Sequence, residues 1–204
     1  MPEHDHDHHD HAAHSMHHRF EHADEWTKQF DDPARDAWQQ PDKVVAAMAI
    51  TPGMSVADVG AGTGYFEPRL SAAVGPNGKV LAVDIEPDMV RYINERRVRE
   101  KTLNVEARLG VADDPKLDPV DRILIVDTWH HIENREAYGT KLAAALKPGG
   151  IVFVVDFKLE SEKGPPKHMR LAPDQVIAEL AAAGLQARVV DVGLPDQYVV
   201  SAAK

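Results

Sequence analysis

Short apolar runs alternate along this chain with segments whose apolar residues recur every three to four positions, and the alternation begins at residue 56. VADV (56–59) is small or β-branched around one carboxylate and predicts a buried strand, after which Phe66, Leu70, Ala73 and Val74 fall on one face of a helix. The turn signal GPNG (75–78) separates this unit from a second apolar run within 80–90, where Pro87 opens a helix presenting Met89, Val90 and Ile93 together. Residues 105–109 predict a third strand, and RILIVD (122–127) is β-branched enough for a central strand covered on both faces. A helix carrying Tyr138, Leu142, Ala145 and Leu146 follows, stopped by the Pro and Gly of LKPGG (146–150) before a fifth strand at 151–157. Strands at 186–192 and 197–202 bring the count to seven.

Strands alternating with helices imply an α/β fold, a doubly wound and mostly parallel sheet with helices on both faces and right-handed crossovers. The last two strands are joined only by GLPD (193–196), too short for a crossover, so they must form a hairpin.

Chemistry concentrates where the first strand ends. Gly60, Gly62 and Gly64 remove side chains at a strand-to-helix turn where a ligand would lie against bare backbone. A dinucleotide fingerprint needs a further glycine where Tyr65 stands, and no Gly-Lys-Ser or Gly-Lys-Thr of a phosphate loop occurs. Asp58 would repel a pyrophosphate and attract a cation. Asp84, twenty residues past Gly64, is spaced to accept hydrogen bonds from ribose hydroxyls. These residues together describe a site for a nucleoside that carries positive charge and lacks phosphate.

An acidic residue, one intervening residue and then G-x-G-x-G, here Asp58 to Gly64, resembles the first motif of class I S-adenosylmethionine-dependent methyltransferases. The resemblance spans about 42–204 and implies strand order 3-2-1-4-5-7-6, with the last strand antiparallel, and S-adenosylmethionine as cofactor. By the same resemblance Asp58, Gly60, Ala61, Gly62, Gly64 and Asp127 line the cofactor turn, Asp84 holds the ribose, and Ile85 and Met89 pack on adenine, although Met89 equally suits a core. Asp113, preferred over Asp114, would accept from the adenine amino group. LKPGG before the fifth strand is another feature shared with the family, and the pattern is closest to its small-molecule, quinone-biosynthesis-like branch.

Methyl transfer from a sulfonium needs no nucleophilic side chain, and a general base only where the acceptor must lose a proton. His130 and His131 follow Asp127 on the rim where open α/β sheets bind ligands, and are the candidates; at most one should face the cleft. The alternative is that a ring only hydrogen-bonds backbone and shapes the loop. Trp38 and His168 are candidate substrate contacts, with Arg170 beside the latter. In small-molecule members of the family N-terminal helices close over the site, a role that residues 23–50, with Trp26, Phe30 and Trp38, would fill here unless those aromatics only pack against the sheet edge.

Composition narrows the picture. The chain has 204 residues, room for one domain (23–204) with one sizeable core, and no apolar run long enough to span a membrane, which fits a cytoplasmic protein. There is no cysteine, which excludes thiolate metal sites and counts against the arsenite-methylating branch. With 23 basic against 33 acidic residues, nucleic-acid substrates are disfavoured. Nine of the twelve histidines lie in residues 1–22, and such a polar tail predicts disorder. His4, His6, His8, His9 and His11, interleaved with carboxylates, would bind zinc, nickel or copper, whether adventitiously or for metal storage or delivery. Within the domain, spacing demands no metal site from His130, His131, Asp156 and His168. The function expected is methyl transfer to a small molecule. The alternative is a non-catalytic nucleoside-binding protein with a metal-binding tail, while a nicotinamide oxidoreductase is opposed by Tyr65.

Overall fold

The computed structural model describes residues 22–204, so the tail and its metal-binding expectation lie outside the described residues. Seven strands, β1 Ser55–Val59, β2 Lys79–Asp84, β3 Val105–Leu109, β4 Val120–Val126, β5 Leu146–Phe157, β6 Gln186–Val190 and β7 Gln197–Ala203, form one sheet ordered β3-β2-β1-β4-β5-β7-β6. Neighbours from β3 to β5 pair in parallel, whereas β7 runs antiparallel to both β5 and β6. The expected order and the closing hairpin are both present.

Period two along each strand sorts the core into two layers. Val56, Val80, Ala82, Leu124, Phe153 and Val155 pack with α3 Pro41–Ala47, α4 Glu67–Val74 and α5 Pro87–Arg99 through Val44, Phe66, Leu70, Val74 and Ile93. Ala57, Val59, Leu81, Val83, Ile123, Ile125, Val152 and Val154 pack with α6 Arg135–Ala145 and α7 Pro173–Ala182 through Tyr138, Leu142, Val176 and Leu180. Each fully buried large side chain contributes about 1.5–3 kcal/mol of transfer free energy. The same periodicity places Asp58, two residues after Val56, and Asp84, two after Ala82, on the α4–α5 side.

LKPGG departs from its expected turn. The helix α6 does end at Ala145, but Leu146 already pairs with Val120, and the next pair is Arg122 with Ile151. The intervening Lys147–Gly150 stretch is a bulge inside β5, allowed by Gly149 at φ +75°. Ahead of the sheet, α1 Ala23–Phe30, α2 Arg35–Gln39 and α3 form the N-terminal helical segment. Among the described residues no helix is long and apolar enough to cross a membrane.

Candidate active site at the carboxyl edge of the sheet

Gly60, Gly62 and Gly64 all have positive φ, the conformation glycine adopts without strain. Their missing side chains are exploited by the protein itself. A Cβ on Gly60 would meet Thr128 Oγ1 at 2.2 Å, one on Gly62 would touch the Phe30 ring at 3.4 Å, and one on Gly64 would stand 3.2 Å from Glu67 Oε2. Asp84 fixes the turn from β2: its Oδ2 accepts from the Gly62 N–H at 2.8 Å and its Oδ1 from the Glu86 N–H at 2.9 Å. Burial raises the Asp84 carboxyl above the usual range, and those two N–H bonds oppose the shift.

Asp58 is buried beneath the same turn, and burial pushes its carboxyl up to about 7, with a hydrogen bond to Glu67 and the charge of Arg35 opposing and Asp84 adding to the shift. Glu67, the first residue of α4, is buried beside it. Burial and then the charge of Asp58 raise Glu67 well above an ordinary glutamate. A cation beside this turn would favour the ionised form of these acids and be held by it, whereas a phosphate would be opposed by it.

The segment 22–40 is tied down over this turn by polar contacts that sequence reading missed. Thr63 Oγ1 donates to Asp31 Oδ1 at 2.9 Å, and Arg96 of α5 bonds both Asp31 and the Thr63 carbonyl. The Tyr65 hydroxyl donates to Asp36, Arg69 pairs with Asp36 and Asp42, and the Arg35 guanidinium lies 4.1 Å over the Tyr65 ring. Arg35 also reaches to 3.8 Å from Asp127, and buried Gln39 donates to Gln197, which in turn donates to Asp127. The sequence signal was FDDPARDAWQQP (30–41), where charged and amide residues interleave with the aromatics.

At the end of β4, Asp127 takes the left-handed φ of +53°, its side chain 23% exposed, and partial burial together with the charge of Asp156 pushes its carboxyl up to about 7 against the pull of Arg35. His130 follows in a short 3-10 turn, its side chain only 2% exposed, with Nδ1 bonded to both carboxylate oxygens of fully buried Asp156 at 2.9 and 3.0 Å. His131 is exposed, its ring stacked at a tilt 4.2 Å from that of His130. Trp38 packs on Phe157 with centroids 5.6 Å apart, so an aromatic wall adjoins the end of β5.

Other sequence-named residues are placed differently. Met89 is buried in the α5 face at 1% exposure, whereas Ile85 is 51% exposed beside Asp84. Asp113 turns outward, its side chain 84% exposed and 3.5 Å from Lys141 Nζ, an ion pair on the surface and not a lining group. His168 is exposed in its own 3-10 turn. Arg170 does not reach a substrate cleft: its guanidinium is taken up by the carbonyls of Pro165, Lys158, Leu159, Ser161 and Lys163, and it staples that loop. Among the described residues no group of three or more His, Asp or Glu side chains is arranged to hold a metal ion, although His130 meets Asp156 and stacks near His131.

The set at the sheet edge fits a nucleoside with a cationic tail: an acid at the end of each of the first two strands, a turn of bare backbone and a closed helical cover. Comparison with known proteins agrees. A family model described as a methyltransferase domain matches residues 50–188. A solved structure of a SAM dependent methyltransferase from Aquifex aeolicus superimposes with a TM-score of 0.82 at 32% identity, covering 89% of this chain and 98% of that one. An arsenite methyltransferase of Halobacterium salinarum is 30% identical over 144 residues, 69% of this chain and 36% of its own length. A ubiquinone/menaquinone biosynthesis C-methyltransferase of Ectopseudomonas mendocina is 28% identical over 121 residues, 57% of this chain and 46% of its own. The chain thus spans less than half the length of these two curated relatives.

Proposed function

We propose that this chain, which belongs to the class I S-adenosylmethionine-dependent methyltransferases, transfers the donor's methyl group to a small-molecule acceptor enclosed between the strand ends and the N-terminal cap. S-adenosylmethionine supplies an electrophilic methyl on a sulfonium whose leaving group is a neutral thioether, so positioning and exclusion of water carry most of the rate. The residues assigned to hold it are Asp58 with the turn Gly60, Ala61, Gly62 and Gly64, Asp84 for the ribose, and Ile85 beside it. Asp127, engaged by Arg35 and Gln197, links that site to the cap.

His130 is the base for acceptors that must lose a proton. Asp156 takes the Nδ1–H, which fixes the tautomer and leaves Nε2 to receive the acceptor's proton. The Trp38–Phe157 wall favours an acceptor with a flat apolar part, as a phenol has. Arsenite is disfavoured despite the archaeal relative, because this chain has no thiol to bind it.

The observation that carries the reading is the convergence, under one cap, of the acid-lined glycine turn and the buried His130–Asp156 pair. Calorimetry with S-adenosylhomocysteine should give micromolar binding, and Asp84→Ala should weaken it by about 1–3 kcal/mol through lost charge-assisted hydrogen bonds. Labelled-methyl transfer to a panel of phenols and other small acceptors then tests the chemistry. Absence of binding by both donor and product would overturn the reading.

A further inference from the structure

The loop between β5 and α7, residues 158–172, has no part in the proposed chemistry, yet it is built to hold one shape. Arg170 is its centre: Nε donates to the Pro165 carbonyl and Nη2 to that of Lys163, both at 2.8 Å, while Nη1 serves the carbonyls of Lys158, Leu159 and Ser161. A planar guanidinium with five N–H donors can gather carbonyls spread along 158–165, which the compact ammonium of a lysine cannot. The arginine is itself pinned to the sheet through its neighbour, because the Tyr198 hydroxyl of β7 donates to the Leu171 carbonyl at 3.0 Å. The start of the loop is tied to the turn between β6 and β7: the Lys158 N–H donates to the Asp196 carbonyl at 3.0 Å, and Ser161 Oγ donates to Asp196 Oδ1 at 2.9 Å.

That shape lays Gly164 flat on an aromatic ring. Gly164 has a φ of +91°, and a Cβ on it would stand 2.5, 2.6 and 2.7 Å from three atoms of the Phe157 ring, so only bare backbone fits there. Phe157 ends β5, directly after the Asp156 that holds His130, and it is 5% exposed. The same ring packs on Trp38 of α2. The loop and the cap thus meet at Phe157, although they are distant in sequence. The polar ties that fix the cap over the glycine turn engage Asp31, Asp36 and Asp42, and none of them holds Trp38.

We propose that Arg170 is a positioning residue for the acceptor chamber: by holding residues 158–165 it seats Gly164 on Phe157, and through that ring it sets where Trp38 stands. This inference rests on taking the Trp38–Phe157 wall as the acceptor's side of the site. It assigns part of the acceptor specificity to a side chain that touches no substrate. Packed aromatic contacts pass on a displacement because the interior has no slack to absorb it. Releasing the loop therefore loosens the wall from behind, while the glycine turn and Asp84, which lie at the other end of the cap, keep their geometry.

The test compares hydrogen–deuterium exchange in the wild type, Arg170→Met and Gly164→Ala. Amides of residues 35–40 should exchange roughly tenfold faster in both variants, because one frees Gly164 and the other pushes on the Phe157 ring. A loop with only a local structural role would speed exchange at 158–170 alone, and that result would overturn the proposal. S-adenosylhomocysteine should bind both variants as it binds the wild type, which reports an intact fold; a parallel loss of that binding would also overturn it. Millimolar methylguanidinium should restore slow exchange at 35–40 to Arg170→Ala and leave Gly164→Ala unchanged. In labelled-methyl transfer, Arg170→Met should raise KM for phenol roughly tenfold with kcat nearly unchanged, and should favour 4-phenylphenol relative to phenol. If transfer occurs and exchange at 35–40 does not depend on Arg170, only this inference falls. If the wild type methylates neither phenol while that dependence is present, the acceptor reading of the wall falls and the positioning of Trp38 stands.

Discussion

At the scale of single residues, the three glycines are not equivalent, although their spacing treats them alike. Gly60 sits against the Thr128 side chain, whose hydroxyl is held by the Val126 carbonyl at 2.9 Å, so an added methyl cannot be accommodated by simple rotation. Gly62 faces the Phe30 ring at ordinary contact distance. Gly60→Ala should therefore lose the φ strain plus a clash, about 3 kcal/mol or more, while Gly62→Ala should lose about 1 kcal/mol from strain alone. Urea denaturation of the two variants checks the order, and equal losses would contradict it. Asp156 belongs to this scale as a positioning residue. Asp156→Asn offers His130 an amide in place of a carboxylate and no longer selects the tautomer with a free Nε2. We expect kcat to fall by roughly 10²- to 10⁴-fold for a proton-losing acceptor, with S-adenosylhomocysteine affinity unchanged. An acceptor that needs no deprotonation should be spared.

At the scale of elements, the cap is the part of the site that the pattern of the sequence conveyed least. Strand periodicity, the glycine turn and the acids two residues past core positions were legible, because each depends on local geometry: period two fixes which face Asp58 and Asp84 share with Val56 and Ala82. The contacts of Asp31, Arg35, Asp36 and Gln39 were not, since their partners Thr63, Arg96, Tyr65, Arg69, Asp127 and Gln197 are brought near only by the tertiary fold. Asp113 shows the converse. Its position near Leu117 fitted the family spacing, yet its side chain took a cation at the surface, where pairing with Lys141 competes with facing inward. Arg35 is the residue on which the cap most depends, since it bonds within its own segment, covers Tyr65 and offsets the charge of Asp127. Arg35→Met keeps the stem and removes all three. Limited proteolysis should then cut within residues 22–40 markedly faster than in the wild type, and bound S-adenosylhomocysteine should slow the cutting; unchanged cleavage would show that the cap is held by its apolar contacts alone.

At the scale of the whole molecule, acids that folding draws partly or fully out of water make the ligand-free protein respond to pH in an unusual direction. Most carboxylates that gain partners on folding have lowered values, as Glu106 and Asp121 do, and they stabilise the fold above the unfolded value and cease to do so in acid. Asp58 and Asp127 do the opposite. Each titrates at about 7 in the folded chain, against about 4 in an unfolded one, so between these limits the native state binds more protons than the unfolded state. Their contribution is complete below pH about 4 and is lost as pH rises through about 7, and stability therefore falls over that window. With a formal net charge of −10, general self-repulsion on deprotonation acts in the same direction. The melting temperature without ligand should thus be several degrees higher at pH 5.5 than at 7.5. Asp127→Asn, which cannot ionise and still accepts from Gln197, should flatten that dependence, and S-adenosylhomocysteine should narrow it by placing a cation beside the acids at high pH. Differential scanning fluorimetry across pH 5–8 on the wild type and Asp127→Asn makes the comparison; a wild-type melting temperature that climbs from 5.5 to 7.5, or a variant with the same slope, would mean that these carboxyls are ionised in the folded protein and that Arg35 neutralises them.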